Sequence, residues 1–172
     1  MKKFYQILLL SLWLLPVNYV LGAEAVTQDL NPRLVMELLT AITPTEKSGD
    51  ELYFDISVYR ANKQAEYLRV PTSPGHWPSK IIDKLNQITL WSEPLKSGEA
   101  TTLILSLVES DDTLVNPDDL IGSIKVEMKN DKGVLQTNWS QPNRTEELGQ
   151  KDIQKFELVG GGKYELYLSL KK

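Results

Sequence analysis

The sequence contains no cysteine and only one histidine, His76. Disulfide bonds are therefore excluded, and thiol, haem or zinc chemistry built on cysteine and histidine has almost no residues to use. A serine–histidine–acid triad would have to use His76, and the chain lacks the Gly-x-Ser-x-Gly segment that presents a serine nucleophile. We therefore expect a protein that binds without catalysing a reaction.

Basic residues are also fewer than acidic ones. The chain has 19 lysines and arginines against 23 aspartates and glutamates, and its formal net charge is −4. Binding to nucleic acid requires clustered basic side chains that neutralise phosphates. This balance predicts that nucleic acid is not a partner.

Long apolar runs are absent after the beginning of the chain. Residues 7–15 form a short apolar run that follows Lys2 and Lys3, and an Ala-x-Ala pattern follows at Ala23 and Ala25. A basic start, a short apolar stretch and small residues at a cleavage position are typical of a secretory signal peptide. We predict that the first 25 residues are such a peptide and are removed.

The remaining chain, residues 26–172, is predicted to be one exported domain, periplasmic or secreted. Glu24 stands where a bacterial lipoprotein would need its lipidated cysteine, so we do not expect a lipid anchor. No segment approaches the roughly 20 apolar residues that cross a bilayer as a helix. The mature chain is therefore expected to have no transmembrane segment.

Alternation of apolar and polar residues with a period of two recurs along residues 26–172. Such alternation is typical of strands with one buried face. Many short strands joined by turns predict an all-β protein, an antiparallel β-sandwich of about eight strands. The expected strands span residues 51–59, 65–70, 87–91, 101–108, 121–129, 134–139, 153–159 and 163–170.

Residues 32–43 fit two structures. Asn31 could cap a helix with Pro32 in its first turn, and apolar residues recur there at helical spacing. The same residues also alternate as in a strand, and Pro44 would end it. Because the other segments are expected to be strands, we favour a strand. The apolar positions concerned are Leu34, Met36, Leu38 and Ile42.

Two predicted loops gather acidic residues, within residues 44–54 and 106–122. Like charges at such short spacing repel each other, so either water solvates them or a cation lies among them. The acidic residues of the two loops are Glu46, Asp50, Glu51, Glu109, Asp111, Asp112, Asp118 and Asp119.

These two loops resemble the calcium-binding loops of C2 domains. The segment Glu-Lys-Ser-Gly-Asp-Glu-Leu-Tyr at 46–53 is similar to the first family pattern, Asp-x-x-Gly-x-Ser-Asp-Pro-Tyr. Glu-Ser-Asp at 109–111 and Asp-Leu-Ile-Gly at 119–122 are similar to the family's Asp-x-Asp and Asp-x-Ile-Gly. The resemblance implies a C2-like sandwich that binds calcium between its loops and recognises a membrane surface or a protein partner.

Calcium binds six to eight oxygen atoms and accepts carboxylates from flexible loops. The resemblance implies a set of candidate ligands, although glutamate replaces the family's aspartate at several of them. The alternative is that these side chains cap turns and remain solvated. The candidate ligands are Glu46, Asp50, Glu51, Glu109, Asp111 and Asp119.

Three apolar residues are candidates for contact with a membrane or partner. Leu114 and Val115 lie between the acidic residues, at what the resemblance makes a membrane-facing loop tip, unless they fold back onto the sandwich. Trp77 follows His76 in a proline-rich segment, 71–80, and is expected to be exposed there or packed in a crevice. Two alternative functions remain: a hydrolase or accessory protein that uses Trp77 and His76, and a structural subunit of the cell envelope.

Overall fold

The computed structural model describes residues 28–111, 117–142 and 152–172. These residues form ten strands in two antiparallel sheets, and this confirms the predicted all-β sandwich. The predicted signal peptide, Asp112, Leu114 and Val115 lie outside the described residues. The elements are β1 Arg33–Thr43, β2 Glu51–Arg60, β3 Glu66–Val70, β4 Trp77–Pro78, a 3-10 helix Ser79–Lys84, β5 Ile88–Ser92, β6 Ala100–Glu109, β7 Asp119–Asp131, β8 Val134–Ser140, β9 Ile153–Val159 and β10 Lys163–Lys171.

One sheet has the strand order β5-β1-β10-β9 and the other has the order β3-β2-β6-β7-β8, with β4 paired to β2. The inner faces of both sheets supply the hydrophobic core. The period of two explains this arrangement, because every second side chain of a strand lies on the same face. In β2, for example, the buried inner residues are Leu52, Phe54, Ile56 and Val58.

Residues 33–43 form strand β1, as favoured from the sequence, but its alternation changes phase. Met36 pairs with Leu168 and Leu38 with Tyr167, so Glu37 is an extra residue that makes a β-bulge. Leu34 and Met36 are buried before the bulge and Leu39 after it. The bulge moves Leu38 to the outer face, where Ile42 is also exposed, so these two do not belong to the core.

The proline-rich segment at 71–80 contains structure that the sequence did not predict. Trp77 pairs with Leu52 across β4 and β2, and a 3-10 helix follows at Ser79. Ile82 from this helix is fully buried in the core.

Within the described part of the chain, no helix is long and apolar enough to cross a membrane.

The strand directions place the acidic loops at one end of the sandwich, which we call the acidic end. It consists of the β1–β2 loop, residues 44–50, and the residues where β6 ends and β7 begins, Glu109–Ser110–Asp111 and Asp118–Asp119. The first pairs of β1 with its neighbours, Arg33 with Lys171 and with Ser92, lie at the opposite end.

Candidate metal centre at the acidic end

Three carboxylates converge between the two acidic loops. One carboxylate oxygen from each of Glu46, Glu109 and Asp111 lies within 4.8 Å of the other two. The residues line a cleft of about 360 Å³. Both loops therefore contribute carboxylates to one cleft, and these three belong to the six candidate ligands named from the sequence.

Strand pairing brings the two loops together. Glu109, the last residue of β6, pairs with Leu52 near the beginning of β2. The Ser110 amide then donates a 2.7 Å hydrogen bond to the Glu51 carbonyl, which extends the pairing beyond the strand. The residues before β2 and those after β6 are thus held side by side, although more than 50 positions separate them in the chain.

Glu109 is the most unusual of the three acids. Its exposed fraction is only 3%, and its carboxylate has no hydrogen-bond or ion-pair partner among the described residues. Burial, followed by the charges of Asp50, Asp111, Glu46 and Asp119, raises the pKa of Glu109 to about 7. A buried carboxylate normally has a compensating partner, and a divalent cation could supply one in this cleft.

Asp50 has a different environment from the one expected for an ion ligand. Its Oδ1 accepts a 2.8 Å hydrogen bond from the Glu46 amide, and its Oδ2 accepts one of 2.8 Å from the Thr45 amide. Oδ2 also accepts a short hydrogen bond from the Tyr164 hydroxyl. Asp50 therefore shapes the backbone of the first loop, a role that is not predicted from the sequence.

Glu51 lines the cleft and Asp119 does not, and neither belongs to the converging group. The Glu51 Oε1 atom is 3.4 Å from the His76 Nε2 atom, and both side chains are about one-third exposed. Asp119 is exposed and is the neighbour of Glu109 across β6 and β7. Both acids add negative charge beside the three converging carboxylates, and the charge of Asp119 acts directly on Glu109.

The second loop is shaped by Asp118, which is counted among the acidic residues of the loops but not among the candidate ligands. Its Oδ2 accepts a 2.6 Å hydrogen bond from the Tyr53 hydroxyl, and its Oδ1 accepts a 3.1 Å hydrogen bond from the Asp111 amide. The Arg69 guanidinium lies 3.4 Å from the centre of the Tyr53 ring. Tyr53 thus orients Asp118, and Asp118 orients the backbone of Asp111.

Trp77 is partly buried and packs against the core. Its ring lies edge-to-face with that of Phe54, with the ring centres 6.3 Å apart. This placement corresponds to the crevice alternative rather than to an exposed anchor. No hydrogen bond joins His76 to a serine hydroxyl within the described ranges, and its contact there is with Glu51.

Three further residues of the site had no signal in the sequence. Lys80 lines the same cleft as Glu46 and Glu51. The Ser79 hydroxyl accepts a 2.8 Å hydrogen bond from the Asp50 amide, and Tyr164 reaches Asp50 from the other sheet. These contacts depend on tertiary packing of distant segments.

Comparison with protein-family models and with the sequences of curated proteins gave no match. The resemblance to C2 domains therefore rests on the two acidic loops and remains a prediction. What the geometry supports is a cleft whose oxygen donors could hold a divalent cation.

Proposed function

We propose that this chain is an exported, non-catalytic binding module with a C2-like sandwich. Its acidic end binds calcium and, through the bound ion, recognises an anionic membrane surface. The observation that carries the proposal is the convergence of Glu46 and Asp111 on Glu109, which is buried and has no partner among the described residues.

A cation at this point would relieve an unfavourable arrangement. Three carboxylates in one cleft repel one another, and the burial of Glu109 limits the access of water to its charge. A bound divalent cation would offset both effects. Calcium suits the site because the converging donors are all carboxylate oxygens supplied by residues in or beside loops.

The ion would retain open coordination positions. The converging residues supply three carboxylates, whereas calcium takes about six to eight oxygen ligands. Water, nearby oxygens of the loops or an anionic group of a partner would complete its shell. Because the chain itself is acidic, with a net charge of −4, a bridging cation would also reduce its repulsion from an anionic surface.

An exposed apolar residue lies beside the site. Leu120, next to Asp119 in β7, is 57% exposed. Together with Leu114 and Val115, which precede β7 in the sequence, Leu120 would supply apolar contact with the membrane interface. This neighbourhood favours a membrane surface over a soluble partner.

Thermal unfolding of the chain from Val26 onward, with chelator and then with millimolar calcium, tests the ion site. A ligand that binds only the folded state adds about 2.7 kcal/mol of stability at a hundredfold excess over its dissociation constant. We expect a higher melting temperature with calcium, and we expect Asp111→Asn to abolish the increase. Asp131→Asn, which changes an acid at the opposite end of β7, is the matched control and should keep it. An unchanged melting temperature for the wild type would contradict the proposal.

Sedimentation with lipid vesicles tests the partner. We expect calcium-dependent binding to vesicles of phosphatidylcholine with phosphatidylserine, and none to phosphatidylcholine alone, because the ion would bridge to anionic headgroups. Leu120→Ser should weaken this binding without changing the thermal response to calcium. Calcium binding without vesicle binding would favour a protein partner instead.

A further inference from the structure

We infer that Tyr164 is a positioning residue for the acidic cleft: its hydroxyl holds Asp50, and Asp50 holds the loop that carries Glu46. The inference rests on the proposed ion site. Tyr164 belongs to β10, in the sheet that does not contain β6 and β7, and it is far in sequence from both acidic loops.

The first step is the contact between Tyr164 and Asp50. Tyr164 is a fully buried residue of β10, and its hydroxyl donates a short hydrogen bond to the Asp50 Oδ2 atom. Burial, and then the hydrogen bond to Asp50, raises the pKa of Tyr164 well above its usual range. Tyr164 therefore stays protonated and remains a hydrogen-bond donor to Asp50 under ordinary conditions.

The second step leads from Asp50 to the loop. The carboxylate of Asp50 accepts hydrogen bonds of 2.8 Å from the amides of both Thr45 and Glu46. At the other side of the residue, Asp50 and Ser79 exchange two hydrogen bonds: the Asp50 amide donates to the Ser79 hydroxyl, and the Ser79 amide donates to the Asp50 carbonyl. Asp50 is thus held from two directions while it fixes the beginning of the loop.

The third step leads from the loop to the cleft. With its amide fixed by Asp50, Glu46 directs its carboxylate toward Glu109 and Asp111. The Ser48 hydroxyl donates a 2.7 Å hydrogen bond to the Glu46 Oε2 atom and orients the carboxylate further. Removal of the Tyr164 hydroxyl would leave the Thr45 amide as the remaining donor to Oδ2, so Asp50 and the loop would lose a restraint.

The chain offers a closely matched pair of variants for the test. Tyr164→Phe removes the hydroxyl that binds Asp50. Tyr167→Phe removes a hydroxyl from the same strand, one that donates a 3.2 Å hydrogen bond to Glu165 on the outer face. Calcium affinity is measured by calorimetry on the chain from Val26 onward. Loss of a direct partner of a metal ligand typically lowers affinity about 10- to 100-fold. Tyr164 acts one contact farther from the ion, through Asp50, so we expect a loss of ~10-fold in Tyr164→Phe and none in Tyr167→Phe.

Amide hydrogen exchange in the presence of chelator gives a second readout that needs no ion. We expect the Thr45 and Glu46 amides to exchange faster in Tyr164→Phe than in the wild type, and to be unchanged in Tyr167→Phe. If Tyr164→Phe does not fold, Asp50→Asn tests the next contact, the one between Asp50 and the loop. This variant should also weaken calcium binding and speed the exchange of the Thr45 and Glu46 amides.

The outcomes separate the two hypotheses. Equal calcium affinity in the wild type and a folded Tyr164→Phe variant would overturn the positioning role while leaving the ion site intact. Absence of calcium binding by the wild type would overturn the proposed function. In that case, faster amide exchange in Tyr164→Phe would show that Tyr164 stabilises the loop but positions no ion ligand. The inference that Tyr164 supports an ion site would then be wrong as well.

Discussion

At the scale of single residues, Glu109 is expected to make the stability of the folded state depend on pH. Its pKa is raised from the ordinary 4.5 to about 7, so the folded state binds the proton more tightly than the unfolded state does. The associated stability is fully present below pH 4.5 and is lost as the pH rises through about 7. The cause is physical: ionisation places a charge in a buried cleft beside other carboxylates.

The pH dependence predicts the effect of Glu109→Gln. In the presence of chelator, we expect the free energy of unfolding of the wild type to fall between pH 5 and pH 8, by up to about 3 kcal/mol, at ~1.4 kcal/mol for each pKa unit. Glu109→Gln should remove most of this fall because the amide does not ionise. Urea unfolding at both pH values measures it.

Glu127→Gln is the control for the substitution itself. Glu127 lies on the outer face and hydrogen-bonds to Lys125, which lowers its pKa instead of raising it. This variant should retain the fall in stability between the two pH values. A fall of the same size in Glu109→Gln would show that other groups cause it.

At the scale of elements, the sequence predicted the strands well because alternation is a local property. It also named six candidate ligands in the two loops, of which three, Glu46, Glu109 and Asp111, have converging carboxylates. It did not predict the bulge at Glu37, which is set by pairing with β10. Nor did it predict the contact of Tyr164 with Asp50, because these residues are 114 positions apart and meet only through sheet packing.

The 3-10 helix is expected to support the site through Ile82, the residue that attaches the helix to the core. Ile82 is fully buried, and Ser79 in the same helix holds Asp50. We expect Ile82→Ala to cost about 2–5 kcal/mol of stability through the cavity it leaves. We also expect a weaker calcium response, because the helix is no longer held against the core. Chemical unfolding and calorimetry measure the two effects.

Ile81→Ala provides the comparison in the adjacent position. Ile81 is 43% exposed, so its truncation should change stability by much less and leave calcium binding intact. Equal losses in the two variants would mean that the helix does not depend on Ile82 for its attachment.

At the scale of the whole molecule, the proposed site is assembled by both sheets. Glu109 is the last residue of β6 and Asp111 comes two residues after it, whereas Tyr164 lies in β10 of the other sheet. The residues between the sheets are the core itself. Changes in core packing are therefore expected to reach the cleft, and ion binding is expected to stabilise the packing of one sheet on the other.

The pairing of Arg33 with Lys171 has a practical consequence for experiments. A strand of about ten residues spans roughly 33 Å, so a dye, affinity tag or surface linker attached after Lys172 would lie about that far from the cleft. Immobilisation through this point would attach the molecule by the end opposite the acidic end. A sensor surface prepared in this way would leave the cleft accessible to ions and vesicles.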